Sequence, residues 1–429
     1  MSENAATVET FRWDRYAPTR ARLKIVFGLW GAIAVLSALA MYAAVLMGAS
    51  GAMIGGDFSA FFIAARAAAE GAAAQIYDPT LFQERLNTAF PGRDDLTLTW
   101  QYPPTYFLIA APFAALPYLP GYTLWSGATA LFFALLIRRR TEDPIIFFGV
   151  LSAPAFFAAF VTGQNGFLTA ALLLLAAQNP KSRPVIAGLA AGLLTVKPHL
   201  GLLIPIAYIA AGCWRAVSIA IVTAAALAGA SILAYGLAPW AEFLGAVIDV
   251  GGRVASGVMP LAKMTTPYSA ALFAGLPDMV AKLIALIAMI GAGAFIWRVW
   301  RKIDDPALRA SALIAGVFIA APYGFYYELI ALAYPCVIIA ARGVKTGWLK
   351  YERWLLAGAW ALPAGVTALA DMRQGPSLGF VIIAIVLVMT ARRAHAERAD
   401  LFPWAPPKPA DDQKDRRAFI AAESVPSSR

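Results

Sequence analysis

IVFGLWGAIAVLSALAMYAAVLM, residues 25–47, holds no charged residue and follows Arg12, Arg15, Arg20, Arg22 and Lys24. A bilayer core of about 30 Å takes about 20 apolar helical residues to cross. A cleaved signal peptide would be shorter and would end in a small-x-small site. The stretch therefore reads as a retained first spanning helix with its N-terminus in the cytoplasm. The rest of the chain matches it. Of 429 residues 60% are hydrophobic and 14% charged, against about 45–50% and about 25% in a soluble domain. That composition excludes a water-soluble globule and a disordered chain. Two Cys and two His argue against a disulfide framework or a multi-ligand zinc site.

Further apolar segments follow at roughly 105–137, 145–161, 166–178, 185–196, 200–213, 216–238, 277–297, 310–321, 327–341, 354–370 and 377–391, twelve in all with the first. The short ones, 166–178 and 185–196, tilt or turn inside the protein, where protein or a water cavity satisfies the backbone. The expected fold is an all-α polytopic membrane protein of about twelve transmembrane or re-entrant helices. Alternation places 27 of the 35 Lys and Arg on one side, as the positive-inside rule requires. The +10 net charge thus reports topology, and no nucleic-acid partner is expected. The divisions are a cytoplasmic N-terminus (1–24), a membrane domain (25–391) with a long first outer loop (48–104), and a Pro-rich, charged tail (392–429) expected to be disordered and cytoplasmic. Within the outer loop, FSAFFIAARAAAEG (58–71) has helical spacing, Asp57 as N-cap and Gly71 as stop, and reads as a juxtamembrane helix at the membrane surface.

The polar residues of the outer face are few. Asp57, in GGDF, lies ten residues after the first span; its carboxylate is suited to general-base work, beside its role as an N-cap. Tyr102, with Tyr77, Trp100 and Tyr106, forms either an interfacial anchor or a platform for a sugar ring. Gln164 and Asn165, in TGQNG, form a surface turn or contact sugar hydroxyls. Lys197 and His199, in TVKPHLG, sit between apolar segments, where an ionisable group is costly unless it faces a cavity or partner; they can hold a phosphate or snorkel to headgroups. Arg253 and Lys263 are the other outer cations, either solvated or aimed at an anionic lipid substrate. Glu328, after Tyr326 and Tyr327, begins an apolar segment; it can pair with Lys197 or bind a divalent metal. No phosphate-binding loop and no dinucleotide-binding glycine fingerprint occurs, so the substrates come from the membrane or the outside.

GGDFSAFFIAARAAAEGAAAQIYDP, QYPP, TGQNGFLTAALLLLA, VKPHLGLLIPIAYIAAGCWRA and PYGFYYEL, in this order, resemble glycosyltransferase family 87 across roughly residues 25–390. The resemblance implies a GT-C-like fold, a polyprenyl-phosphate-sugar donor and an inverting transfer on the outer face of the cytoplasmic membrane. It implies a hexose, mannose above all, passing to a lipid or glycan acceptor. It places Asp57 as the general base, Lys197 and His199 near the donor phosphate, and Gln164 and Asn165 at the family's turn. By their own chemistry Arg253 joins the donor-phosphate candidates, and Tyr102, Tyr326, Tyr327 and Glu328 join Gln164 and Asn165 as candidates for sugar and acceptor. Where mycobacterial members are His-rich, this chain has Tyr326, Tyr327 and Glu328. No cofactor is expected and no metal ligand is assigned, because carboxylate pairs are sparse. The rival is a transporter or flippase of lipid-linked glycans; inverted repeats would mark it, and none is found.

Overall fold

The computed structural model describes residues 17–49, 51–93, 95–255, 261–369, 378–398 and 401, without the side chains of 249–255. Among them the chain is all-helical, with one antiparallel bridge between Met264 and Phe325. The order is α1 (Arg20–Leu46), α2 (Phe58–Ala69), α3 (Pro79–Ala89), α4 (Thr105–Ala110), α5 (Tyr118–Arg138), α6 (Pro144–Leu151), α7 (Pro154–Thr162), α8 (Gly166–Ala177) and α9 (Pro184–Leu193). Then come α10 (Ile204–Ala210), α11 (Trp214–Tyr235), α12 (Ala238–Ala255), α13 (Pro267–Phe273), α14 (Asp278–Lys302), α15 (Pro306–Ala320), α16 (Ala333–Thr346), α17 (Glu352–Leu369) and α18 (Leu378–Glu397).

Asp-Pro pairs start several of these helices. Asp78 accepts from the Thr80 amide at 2.8 Å, Asp143 from Ile145 at 2.9 Å, and Asp305 from Leu308 at 2.8 Å. Each Asp satisfies an orphan amide of the first turn, and the proline after it lacks only an N–H that would have no partner there.

Membrane-crossing capacity is concentrated in fewer helices than the twelve expected. Six are long and apolar enough: α1, α5, α11, α14, Tyr326–Thr346 and α18; the α6–α7 pair, bent by 41°, makes a seventh if counted as one. The expected segment 105–137 breaks in two, because Pro112 and Pro117 interrupt it between α4 and α5. Segments 166–178, 185–196 and 200–213 are short apolar helices; of the twelve residues of α8, ten are buried. α8 fills the interior of the bundle, where neighbouring helices satisfy its ends, whereas the other two keep an exposed face at Val185, Ile186, Leu189 and Ile209.

The helix predicted at the membrane surface is enclosed by protein. In α2 ten of twelve residues are buried, in a second core with Phe82, Trp100, Phe107, Tyr122 and Trp125. Its alanines admit close neighbours on every side, which a single apolar face does not require. Gly71 ends it at φ +75°, and the Ala72 amide reaches back to the Ala67 carbonyl at 2.8 Å, as in a Schellman cap.

Ion pairs gather the basic helix ends at one end of the bundle. Arg20 pairs with Asp143 at 2.7 Å, Arg342 with Asp305 and Glu397, and Arg393 with buried Glu352. The turn 163–165 after α7 and the break at Lys197 are the far ends of helices that set out from this basic end, and the span that starts at Tyr326 runs back toward it. The last helix runs to Glu397, past the expected boundary at 391; residues 1–16 and 402–429, including most of the tail, lie outside the described residues.

Packing of α9 on α11 rests on Gly188 and Gly192. A Cβ at Gly188 would stand 2.6 Å from the Ile219 Cβ, and one at Gly192 would strike Thr223 and lie 2.8 Å from the Ala220 carbonyl. This Gly-x-x-x-Gly spacing lets two helix backbones approach within a membrane. Gly192→Val is expected to destabilise by about 1–3 kcal/mol through overpacking. Thermal unfolding in detergent would show it as a lowered midpoint, whereas Gly229→Val, with open space at its Cβ, should be near neutral.

Candidate functional site

Asp57 is placed by backbone bonds to the far end of α7. The Gly55 amide donates to the Val161 carbonyl at 2.9 Å and the Asp57 amide to the Thr162 carbonyl at 3.0 Å. Gly55 lies at φ +74° with the Tyr122 ring where a Cβ would be. Gly163 turns the chain at φ +69°, its carbonyl held by the Trp125 indole at 3.0 Å. Only glycine fits either position, since the left-handed backbone and the close approach both exclude a side chain. Asp57 precedes α2, yet its side chain makes no capping hydrogen bond. Asp57 stands at the expected N-cap position but without the side-chain cap: with Asp57 itself in a helical conformation (φ −75°, ψ −24°), its carboxylate does not fold back onto the amides of the first turn and is left for other partners.

Those partners are an amide and two cations. The Gln164 side chain, Lys263 and Lys197 all favour its charged form. Burial nevertheless dominates and pushes the Asp57 pKa up to about 6, with Lys263, Gln164 and Lys197 pulling it back. The side chain keeps part of its surface open. A carboxylate poised near neutrality suits proton transfer.

Behind Asp57 the Gly163–Asn165 turn meets two other chain breaks. Lys197, between the 3₁₀ turns Leu194–Val196 and Pro198–Gly201, places its ammonium 2.6 Å from Glu328 Oε1 and donates to Asn165 Oδ1 at 3.0 Å. The rings of Tyr327 and Tyr102 flank that ammonium at 4.9 and 5.7 Å. Glu328 Oε2 accepts the Phe325 amide at 2.8 Å. His199 Nε2 lies 3.8 Å from Glu328 Oε1, and the Tyr323 ring lies 4.2 Å from the imidazole. Lys197 and Glu328 are 4% and 1% exposed, so this pair is enclosed. Of the two alternatives for Glu328, the pairing with Lys197 is the one formed.

The remaining expected residues distribute around this pair. Tyr102 donates to Gln164 Oε1 at 3.1 Å and packs 4.5 Å from Tyr106. Its backbone carbonyl accepts the Tyr77 hydroxyl at 2.8 Å. Asn165 Nδ2 lies 3.4 Å from the Tyr106 hydroxyl. Tyr326 packs against the main core of the bundle, whereas its neighbour Tyr327 faces Lys197. Arg253 falls within α12, and its side chain lies outside the described residues. Among the described residues no three His, Cys, Asp or Glu side chains gather as metal ligands.

One residue gains weight over its reading in the sequence. Lys263, weighed as a solvated cation, is the charge that lowers the Asp57 pKa most. The bridge between Met264 and Phe325 and the Thr265 amide on the Gly324 carbonyl at 2.9 Å carry it there from a distant loop. A local reading holds no sign of that pairing.

A family model described as glycosyltransferase family 87 matches residues 100–322, slightly more than half of the chain. No curated protein and no solved structure matches.

Two stability measurements check this geometry. Glu328→Gln alone leaves a buried ammonium short of its counter-charge and should cost about 3–5 kcal/mol. Adding Lys197→Met should restore part of that loss, so thermal midpoints in a double-mutant cycle should be clearly non-additive. Asp57, whose folded pKa is raised from 3.8 to about 6, opposes folding when ionised. Asp57→Asn should therefore stabilise the protein by roughly 1–2 kcal/mol at pH 8, given partial exposure. The gain should shrink as pH falls through about 6 and vanish near pH 4, which unfolding at a series of pH values would read.

Proposed function

The chain is a member of glycosyltransferase family 87, a membrane protein with several apolar helices long enough to span, and from that premise we propose that Asp57 is the general base of an inverting hexosyl transfer. The donor is a polyprenyl-phosphate sugar, mannose first among candidates, and the acceptor is a lipid or glycan hydroxyl. The site faces the outer side of the cytoplasmic membrane, with both termini inside. The observation that carries this reading is the Asp57 carboxylate itself: without a side-chain capping bond, partly open, and beside Gln164 and two cations.

The chemistry asks little of the protein beyond placement. The acceptor oxygen bonds to the anomeric carbon while its proton passes to Asp57. The bond from that carbon to the phosphate oxygen breaks, and the electron pair leaves with the lipid phosphate. Lys263 beside Asp57 supplies positive charge for the departing phosphate and His199 a hydrogen bond to it, while Lys197, its charge met by Glu328, holds the assembly behind them; Arg253 is assigned to the phosphate as the other cation of the same outer loop. Gln164, Asn165, Tyr102, Tyr326, Tyr327 and Glu328 shape the sugar and acceptor side. Glu328 is neutralised by Lys197, so Asp57 is left as the free carboxylate, and we assign no metal or other cofactor to the reaction.

The test uses purified protein in buffer containing EDTA, with polyprenyl-phosphate mannose and cell-envelope lipids as acceptors. Transfer is expected, rising with pH through about 6, and falling at least a hundredfold in Asp57→Asn while the variant remains folded. Full activity in Asp57→Asn removes the base assignment, and movement of lipid-linked sugar across vesicles without transfer favours a carrier.

A further inference from the structure

On the side of α1 the bundle is hollow. A cavity of about 690 Å³ extends between α1, the α6–α7 pair, α16 and α17. Its wall is apolar, with Val26, Ile146, Val337 and Trp360, while Arg20, Arg22 and Arg353 stand at the basic end. The helix that closes it is poorly held: of 27 residues in α1, only Phe27 is buried. That ring lies against Gly149 and 5.0 Å from the Trp360 ring.

A second, polar pocket of about 310 Å³ adjoins the first and shares Asp143, Ile146 and Val344 with it. Arg138, Arg139, Arg140 and Lys345 line it, against the carboxylates of Glu142 and Asp143. Asp143 is already taken by two hydrogen bonds from Arg20, at 2.7 and 3.1 Å. Arg138 donates to the Thr141 carbonyl at 2.7 Å and Arg140 to Gln178. The charged heads of Arg22, Arg139 and Lys345 have no hydrogen-bond or ion-pair partner among the described residues. Cations in excess at the rim of an apolar chamber match one chemical shape: an anionic phosphate joined to a long hydrocarbon.

We propose that the two chambers form one binding site for an anionic phospholipid. Its phosphate sits among the rim cations and its acyl chain fills the cavity, completing the contact of α1 with the bundle. The site lies at the end opposite Asp57 and does not depend on the transfer reaction.

The test measures lipid retention by native mass spectrometry and thermal unfolding of the full chain in detergent. Phosphatidylglycerol, phosphatidylcholine with the same chains, and inorganic phosphate are added separately. Phosphatidylglycerol should be retained, and should raise the unfolding midpoint, at concentrations at least tenfold lower than phosphatidylcholine; phosphate alone should do nothing. The combined variant Arg22→Gln, Arg139→Gln, Lys345→Gln should lose that preference. Ala340→Trp, which fills the cavity, should reduce retention of both lipids. The three cations are exposed, so the combined variant decides the matter even if Ala340→Trp does not fold. Equal retention of both lipids, an unchanged preference in the combined variant, a full effect of phosphate alone, or displacement of bound lipid by an equal concentration of an isoprenyl phosphate would each overturn the proposal.

Discussion

The ion pair between Lys197 and Glu328 is the constraint around which the site is built. Two opposite charges, each almost wholly enclosed, are tolerable only when attraction and hydrogen bonds offset the lost hydration. Here the Asn165 side chain completes the ammonium and the Phe325 amide completes the carboxylate. The pair therefore fixes the relative positions of three helix breaks: the turn at 163–165, the interruption at 197, and the start of the span at 325–328. None of these breaks would be stable in hydrocarbon; their side chains meet one another, and backbone groups find partners nearby, as the Gly163 carbonyl does in the Trp125 indole. Asp57 joins this assembly through the backbone of the same turn.

The two ends of the bundle follow different physical rules. At the basic end, arginines pair with helix-capping carboxylates, and one residue often serves two purposes: Asp143 caps α6 and binds Arg20, and Asp305 caps α15 and binds Arg342. At the opposite end polar groups are fewer and more enclosed, and aromatic rings surround them. Phe61 alone lies against Trp100, Tyr102, Tyr106 and Trp125. That rigid wall keeps Tyr102 beside Gln164 and leaves Asp57 as the open carboxylate.

Composition and hydropathy made the membrane nature and helical class of the chain legible, because apolar runs bounded by charge obey local rules. The family was legible in the order of its motifs. Which of the apolar runs are long enough to cross was less legible: the run 105–137 looks continuous until Pro112 and Pro117 act, and α8 is as apolar as the long helices but only twelve residues long. That protein covers nearly every face of the helix 58–69 was not legible, because alanines and phenylalanines at helical spacing describe a helix without saying what covers its other faces. Asp57 was singled out with two readings open, and its backbone angles decided against capping. Glu328 drew attention as a carboxylate in an apolar run, and the partner offered for it, Lys197, is the one it meets. Lys263 could not be placed, since its position depends on pairing between segments about sixty residues apart. The Gly188 and Gly192 contacts with α11 were likewise invisible before the partner helix was known.

The most direct test of the account is an experimental structure with a non-transferable analogue of a polyprenyl-phosphate sugar bound. The account predicts the anomeric carbon facing the Asp57 carboxylate, and the phosphate within hydrogen-bond reach of His199 or Lys263. Analogue bound with its phosphate away from these cations, and its sugar out of reach of Asp57, would contradict it.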